Sequence, residues 1–398
     1  MAKIVCPYCF EEFNRSDVMF RCTNDNCEKE IDEAMKRFWG GDRQMLPAFE
    51  NGLGKFARMM DKMPDSAACP KCGHTSHTVI CPKCHNMIPK EMVEHKGYII
   101  SIIGARSSGK TNYITVLIDQ LRKNGSKIGQ NLGVLASTVA DDNKNCTQSR
   151  YRENFYNVLF KKGELPEQTK IEDKQSKIPL IFTVTQAGVK KPLYLVFYDT
   201  AGENFNDPKN ISKNVKFLDE SDAVIFLLDT FSIPYVHEKL GIKGDIELNY
   251  DVILNNIVDH FRNGDKAKKE AHFNTPMAFA FSKIDAILQN ADVFADTAIP
   301  GMSLDQNSPY LSGGGVRMDD IDAVSDGIRS ALCMWGEDNF VNNTTGAETY
   351  KNAKYFGFSA LGKNPDTDNT IKGITPYRVL DPLVWILDQL GYPILKSK

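Results

Sequence analysis

Short apolar, β-prone runs alternate with amphipathic helical patterns over the last three quarters of the chain. The runs lie at 98–103, 180–185, 193–198, 223–228, 277–281 and 355–358, and helical periodicity lies at 112–123, 246–261 and 319–335. Strands that alternate with helices predict a mostly parallel sheet covered by helices on both faces. The short link QAGVKKP predicts that the second and third strands are antiparallel neighbours. Residues 300–318 indicate an exposed loop.

The first apolar run leads directly into GARSSGKT at 104–111, which matches the phosphate-loop pattern G-x-x-x-x-G-K-[ST]. Glycines let consecutive backbone N–H groups curl around phosphate oxygens, and the following helix offers its positive N-terminal end. The pattern assigns Lys110 to the β- and γ-phosphates and Thr111 to Mg²⁺. The residues of this loop that we expect to bind nucleotide are Gly104, Arg106, Ser107, Ser108, Gly109, Lys110 and Thr111.

Two further segments at strand ends carry chemistry. DTAGE follows the third run, so Asp199 is expected to hold Mg²⁺ through water and the Gly202 N–H to sense the γ-phosphate. FSKID follows the fifth run, and its Lys283 and Asp285 match the K-x-D pattern of guanine recognition. A carboxylate at that position accepts two hydrogen bonds from guanine, whereas adenine lacks this donor pair. These residues therefore favour GTP and GDP over ATP.

The last strand is followed by Ser359 and Ala360, where a backbone N–H is expected to meet the guanine O6. Lys283 is expected to cover the base with its aliphatic stem.

Eight of the ten cysteines fall in four close pairs, which is the ligand spacing of four-thiolate zinc sites. Grouping in chain order predicts two structural zinc ribbons. Each close cysteine pair forms a knuckle that offers two ligands, and cross-pairing of the four knuckles between the two sites stays open. The predicted ligand sets are Cys6, Cys9, Cys22 and Cys27 for one Zn²⁺, and Cys69, Cys72, Cys81 and Cys84 for the other. Nearby His74, His77 and His85 could substitute as ligands but are better explained as surface residues. Cys146 and Cys333 are expected to be small buried hydrophobes.

The charge balance indicates which classes of binding partner are favoured. The 398 residues carry a net charge of −3, and residues 1–97 contain 14 Lys and Arg against 14 Asp and Glu. Nucleic-acid binders usually show a basic excess, so a protein-docking or structural role of the ribbons is favoured over nucleic-acid binding. The sequence contains no 18-residue apolar run and begins without an export signal, which predicts a cytoplasmic protein with no membrane span.

The order GARSSGKT, DTAGE, SKID, SAL resembles the TRAFAC class of P-loop GTPases over about residues 98–395. With the cysteine pairs added, the chain most resembles bacterial zinc-ribbon GTPases of the double-GTPase type. The resemblance implies an α/β P-loop GTPase domain whose mostly parallel sheet contains one antiparallel strand, and a role in conflict or defence systems. The domains implied are a ribbon at 1–34, a helical linker at 35–66, a second ribbon at 67–96 and the GTPase domain at 97–398.

The resemblance also implies roles in a GTP-hydrolysing switch. Glu203 stands where Ras-like members carry a water-orienting Gln, so we expect slow intrinsic turnover. Ser282 stands where the class usually has Asn or Thr, which implies modest guanine affinity. Thr169 best fits the switch threonine that binds Mg²⁺ in the triphosphate state, with Thr138 and Thr147 as alternatives.

Three other interpretations remain open at this stage. Arg150 and Arg152 could supply an arginine finger but are better explained as solvated residues of a helix. The chain could be a nucleotide-binding interaction module with negligible hydrolysis. It could also be a GTPase that associates with nucleic acid or the ribosome.

Overall fold

The structure is a computed structural model of the chain. It describes residues 3–95, 97–104, 107–140, 143–166, 178–197, 216–244, 246, 250–262, 273–295, 303–345, 350–366 and 368–396. No helix in these ranges is both long and apolar enough to cross a membrane.

A seven-stranded sheet organises residues from 98 onward. Its strands are β1 Tyr98–Gly104, β2 Gly133–Ala136, β3 Leu180–Thr185, β4 Leu193–Phe197, β5 Ala223–Asp229, β6 Met277–Ser282 and β7 Ala353–Gly357. Their spatial order is β2-β3-β4-β1-β5-β6-β7. The pairs β1–β4, β1–β5, β5–β6 and β6–β7 are parallel, whereas β3 is antiparallel to both β2 and β4. The predicted mostly parallel sheet with one antiparallel strand is confirmed.

The apolar runs became strands because they are buried on both faces. Along β4, Leu193, Leu195 and Phe197 pack into one core while Tyr194 and Val196 pack into another. Strands covered on both sides read as continuous apolar runs rather than as alternating patterns. The expected run at 180–185 coincides with β3, and the others differ from the observed strands by one or two residues at one or both ends. The short strand β2, whose Leu135 is exposed, was not predicted.

Helices cover the two faces of the sheet. The longer ones are α1 Lys110–Ile128, α2 Tyr250–Arg262, α3 Met318–Met334, α4 Asp338–Thr345 and α5 Asp381–Gln389. One face packs against α1, α5 and a π-helical segment, Tyr151–Lys162. The opposite face of β5 and β6 packs against α2, α3 and α4. This arrangement leaves that same face of β3 and β4 to be covered by another part of the chain.

The cysteine-rich N-terminal part, residues 3–95, covers that remaining area. Ile181, Tyr194 and Val196 belong to the same buried cluster as the cysteines. The Tyr194 hydroxyl donates a hydrogen bond to the Glu91 carbonyl at 2.9 Å. We call residues 3–95 the zinc module. Its centre is an antiparallel sheet of Ala48–Glu50, Met19–Arg21 and Val79–Ile80, with a helix at Glu33–Trp39.

The expected exposed loop at 300–318 is confirmed only in part for the described residues, 303–318. Residues 305–307 and 312–314 are exposed, but other positions of the segment are buried. Tyr310 is buried and its hydroxyl donates to Asp381 Oδ1 at 2.6 Å, where Ser308 also donates. Arg378 is buried beside them and bonds Asp381 at 2.8 Å and Asp320 at 2.9 Å. Burial alone lowers the pKa of Arg378, but these two carboxylates outweigh burial and raise it. A satisfied polar network therefore fixes this segment against the start of α5.

Candidate functional site

The phosphate-loop motif and the two segments predicted to recognise a base follow strands that end at one edge of the sheet. Gly104 at the end of β1 is paired with Leu227 of β5. Asp229 at the end of β5 is paired with Ser282 at the end of β6, and Phe281 is paired with Gly357 at the end of β7. Because these strands are parallel, their carboxyl ends share this edge, which is where open α/β sheets bind ligands.

The described residues of the phosphate loop, Gly104 and 107–111, have backbone features that depend on their sequence. A Cβ on Gly104 would lie 2.5 Å from Ser108 Oγ and 3.0 Å from Leu227 Cβ, so the loop can fold back only over glycine. Gly109 (φ 74°) and Ser107 (φ 63°) adopt left-handed conformations. For Ser107 that conformation costs about 1–3 kcal/mol, and such strain clusters at ligand sites. The buried Ser108 hydroxyl finds no hydrogen-bond partner among the described residues. These features fit a loop shaped around an anion.

The first turn of α1 carries Lys110 and Thr111. Lys110 is buried at the helix N-terminus and Thr111 is half-buried. The Thr111 carbonyl accepts the Thr115 hydroxyl at 2.7 Å. Tyr113, one turn into the helix, lies 4.6 Å from the Phe358 ring, measured between centroids, and burial raises its pKa. This contact joins the helix after the phosphate loop to the segment that carries Ser359.

Lys283 is held in place by residues at the end of the neighbouring strand. Its Nζ lies 2.6 Å from Asp229 Oδ2 and 4.7 Å from the centre of the Phe231 ring. Lys283 itself has φ 59° and precedes the short helix Ile284–Gln289. Asp285 is half-buried in the first turn of that helix.

The segment after β7 is also fixed. The Ser359 hydroxyl accepts the Gly362 N–H at 2.8 Å, and the Ser359 backbone pairs with Tyr377 in both directions at 3.0 and 2.8 Å. Ala360 is buried beside it. The Ser359 N–H is therefore already used, which leaves Ala360 as the expected donor to a base.

Several predicted site residues lie outside the described residues: Arg106, Thr169, Asp199, Gly202 and Glu203.

The alternatives to Thr169 can be located. Thr138 is exposed beyond β2, whereas Thr147 is buried and its hydroxyl accepts the Ile181 N–H at 2.9 Å. Arg150 is buried rather than solvated, and donates to the Ile178 carbonyl at 2.8 Å. Arg152 is exposed and lies 3.6 Å from Glu153. Thr147 and Arg150 thus hold the start of β3.

The eight paired cysteines form two clusters of four. The clusters are Cys6, Cys9, Cys81 and Cys84, and Cys22, Cys27, Cys69 and Cys72, with the ligand atoms of each cluster within 4.8 Å of one another. The Sγ atoms of Cys6 and Cys84 are 3.7 Å apart, and those of Cys22 and Cys72 are 3.6 Å apart. Tetrahedral Zn²⁺ with Zn–S bonds of about 2.3 Å needs Sγ–Sγ separations of about 3.8 Å. Both clusters therefore fit structural zinc.

The expected grouping of these cysteines in chain order is wrong. Met19–Arg21 and Val79–Ile80 are antiparallel, with Met19 opposite Ile80. Cys22 and Cys81, which directly follow these strands, consequently lie at opposite ends of the pair. Each then joins a different cluster, so the knuckles pair first with fourth and second with third. The boundary expected near residue 97 between the zinc module and the GTPase domain stays a prediction.

The knuckles have local features that suit thiolate ligands. Backbone N–H groups of Tyr8 and Lys83 point at the sulfurs of Cys6 and Cys81 at 3.4 and 3.3 Å. The residue after the second cysteine has positive φ in three pairs: Phe10 (56°), Gly73 (71°) and His85 (58°).

The three nearby histidines are not in the clusters. His74 contacts Thr23, His77 contacts the Asp65 carbonyl, and His85 contacts Asp32. Asp32 also bonds the buried Arg21 at 2.8 Å. Burial raises the pKa of Asp32, but the Met35 N–H, His85 and Arg21 outweigh burial and lower it. The chain segments next to Cys22 and Cys84 are thus linked through Asp32.

The comparison with protein families gives a match to the segment that follows the zinc module. Residues 98–268 match the Double-GTPase 2 family model. The matched segment contains GARSSGKT and DTAGE but ends before FSKID. It confirms the resemblance to double-GTPases.

A relative extends over nearly the whole chain. Over 409 residues the chain is 23% identical to SaeC of Mycolicibacterium smegmatis, whose name gives a proposed role in ESX-1 scaffolding and assembly. The alignment covers 97% of this chain and 99% of SaeC. Both the zinc module and the GTPase-like part therefore lie within the aligned region.

Solved structures share a general likeness at low similarity. The Saccharomyces cerevisiae Ski7 GTPase-like domain bound to GDP and inorganic phosphate matches with a TM-score of 0.34 and 10% identity, over 75% of this chain and 51% of that chain. The same domain bound to GTP matches with a TM-score of 0.33 and 11% identity, over 74% and 50%. The chain thus spans about half the length of those Ski7 chains. The signal recognition particle receptor SRb-GTP/SRX complex of Chaetomium thermophilum matches at 0.28 and 13%, over 67% and 93%.

Sequence reasoning missed Asp229 and Phe231. The available signal was a carboxylate directly after the apolar run 223–228, at the end of a predicted parallel strand. It also missed Tyr377, which lies far from any motif and reaches Ser359 only through the fold.

Proposed function

We propose that this protein is a guanine-nucleotide switch that binds GTP with Mg²⁺ and hydrolyses it slowly. The observation that carries the proposal is the placement of three loops, containing Lys110, Lys283 and Ser359, after parallel strands at one edge of one sheet. A phosphate loop alone suits any nucleotide, but a K-x-D segment at the end of β6 suits guanine.

Different residues of the chain would have different roles in phosphoryl transfer. Lys110 and the loop N–H groups would neutralise phosphate charge, and Thr111, Thr169 and Asp199 would hold Mg²⁺, directly or through water. The ion would supply positive charge that offsets the negative charge of the phosphates. Gly202 would sense the γ-phosphate and Glu203 would orient the attacking water. Repulsion between Glu203 and phosphate oxygens supports slow turnover.

The zinc module would bind a protein partner whose affinity depends on whether GTP or GDP is bound. It packs on β3 and β4, and these strands lead from the segment containing Thr169 and into the segment containing Asp199. A change around the γ-phosphate would therefore act on strands that the zinc module contacts. The name of the relative SaeC, which refers to scaffolding and assembly, supports a protein partner. A role in conflict or defence, a cytoplasmic location and nucleic-acid binding stay predictions.

Single-turnover GTP hydrolysis tests the proposal. The wild-type protein should convert GTP to GDP slowly, and Lys110→Ala should abolish turnover and weaken GTP binding. Lys190→Ala is the matched control, because Lys190 is exposed in the β3–β4 turn at the opposite edge of the sheet. Normal hydrolysis by the Lys110→Ala variant would show that the site is assigned wrongly.

A second candidate is a nucleotide-binding interaction module with negligible hydrolysis. It is favoured by Glu203, which stands in place of a water-orienting Gln, and by Ser282, whose buried hydroxyl has no hydrogen-bond partner among the described residues. Tight GTP binding without single-turnover hydrolysis, with and without cell extract, would select this candidate.

A further inference from the structure

The loops after β5 and β6 are joined through the side chain of Asp229. This carboxylate is buried, and its two oxygens have different partners. Oδ1 accepts the Phe231 N–H at 3.0 Å and so caps the short helix Thr230–Ser232. Oδ2 accepts Lys283 Nζ at 2.6 Å. One residue thus combines a local cap with a link to the K-x-D segment.

Lys283 is constrained at its backbone and, through this link, at its ammonium. Its backbone has φ 59°, so the side chain leaves β6 in a direction that an ordinary strand or helix residue does not have. Its ammonium is fixed by Asp229 and lies over the Phe231 ring at 4.7 Å, within the range of cation–π attraction. With both ends held, the aliphatic stem between them has few conformations left.

The side chain of Ser282 does not help to hold the K-x-D segment, so the contacts from β5 matter more. Its hydroxyl makes no hydrogen bond within the described residues, so it does not tie the K-x-D segment to a neighbouring loop. The K-x-D segment is instead held by residues at the end of β5. The Thr230 hydroxyl donates to the Ser282 carbonyl, and Asp229 holds Lys283. These contacts fix the position of the segment from the adjacent strand.

We propose that Asp229 is a positioning residue for guanine binding, which acts by fixing Lys283 as a platform for the base. The proposal rests on the proposed function, because it takes guanine nucleotide as the ligand. A free lysine would lose rotamer freedom when a base lies on its stem. The ion pair with Asp229 orders the Lys283 side chain before the ligand binds, and preorganisation of this kind strengthens binding.

A double-mutant cycle on GDP binding tests the proposal. Asp229→Asn should weaken GDP binding about 10-fold, equal to about 1.4 kcal/mol, and accelerate GDP release. In a Lys283→Met background the same change should alter GDP affinity less than about 2-fold, because the residue acts only through Lys283. Equal effects in the two backgrounds, or no effect in the wild-type background, would overturn the proposal.

A purely structural role would give a different pattern. Asparagine also caps helices, and the Lys283 ammonium that loses its partner is partly exposed to water, so Asp229→Asn should leave the nucleotide-free melting temperature unchanged. If it lowers that temperature, Asp229→Ser, which also supplies a cap but cannot hold the ammonium, replaces it in the cycle. Asp322→Asn is the control, because Asp322 is exposed and pairs with Lys354 away from the β5–β6 loops.

The two proposals fail in distinguishable ways. If the wild-type protein does not bind GDP, the proposed function fails. If the wild-type protein binds GDP and Asp229→Asn binds it equally well, only the role of Asp229 fails.

Discussion

Replacing two cysteines at a time tests which thiolates share a metal ion. In the structure Cys6 and Cys81 belong to one cluster, whereas Cys6 and Cys22 belong to different clusters. Cys6→Ser with Cys81→Ser therefore damages one site and leaves the other with four thiolates. Cys6→Ser with Cys22→Ser removes one ligand from each site. Grouping in chain order predicts the opposite result for each pair.

The magnitude expected from losing a site is large. The Sγ–Sγ distances of 3.7, 3.8 and 3.6 Å are close to the edge of about 3.8 Å that zinc needs, so both sites require little rearrangement. Structural zinc contributes roughly 10–16 kcal/mol in small zinc peptides, and a whole domain is stable by only about 5–15 kcal/mol. Each intact site should therefore keep its ion through mild chelation, and each damaged site should release it.

Zinc content per chain after mild chelation and gel filtration is the assay. We expect two ions in the wild-type protein, one in the Cys6/Cys81 variant and none in the Cys6/Cys22 variant. A reciprocal variant with serine at Cys22 and Cys72 should also keep one ion. One ion in the Cys6/Cys22 variant together with none in the Cys6/Cys81 variant would refute the cross-paired arrangement.

Three further predictions concern the rest of the fold. Arg378→Met removes one partner of a buried ion pair and should lower the free energy of unfolding in urea by about 3–5 kcal/mol. The control Arg317→Met, at an exposed ion pair, should lower it by at most about 1 kcal/mol, and equal losses would contradict the buried network. Gly362→Ala should weaken GDP binding because its Cβ would lie 2.2 Å from a backbone oxygen, whereas Gly373→Ala, also at positive φ but with open space around it, should not. Burial raises the pKa of Tyr194, so its contribution to stability is complete below about pH 10 and is lost at higher pH. Tyr194→Phe should flatten this alkaline loss in melting temperature, and an unchanged slope would contradict the assignment.

The strands were predictable because burial on both faces leaves a direct mark in the sequence. The run 180–185 and its antiparallel relation to 193–198 follow from apolar residues on either side of a short link. Motifs with fixed spacing were also informative, because GARSSGKT needs a glycine where the loop passes Leu227. In both cases the determining contacts are close in sequence or are the same in every strand of the sheet.

The cysteine grouping and the buried positions within 303–318 were not predictable for a different reason. A C-x-x-C spacing identifies two ligands of one ion, but the choice of the second pair depends on how distant strands associate. Likewise Tyr310 and Arg378 look like exposed polar residues until each meets a partner on another element. The Tyr310 hydroxyl bonds a carboxylate 71 residues away, and no local pattern encodes that separation.

Asp229 shows a smaller gap in the same reasoning. Its position at the end of a parallel strand could have indicated a site residue. Its role depends on the left-handed backbone of Lys283, which no periodicity in the sequence reveals.

Competition binding of GDP, ADP and XDP to the wild-type protein and to Asp285→Asn tests the central claim most directly. The wild-type protein should prefer GDP over ADP by about 10⁴-fold, because adenine would leave the Asp285 carboxylate without its two donors. Asp285→Asn should shift the preference toward XDP, and Asp292→Asn, at an exposed position seven residues further on, should not. Similar affinities for GDP and ADP, or an unchanged preference in Asp285→Asn, would contradict a guanine site at this edge of the sheet.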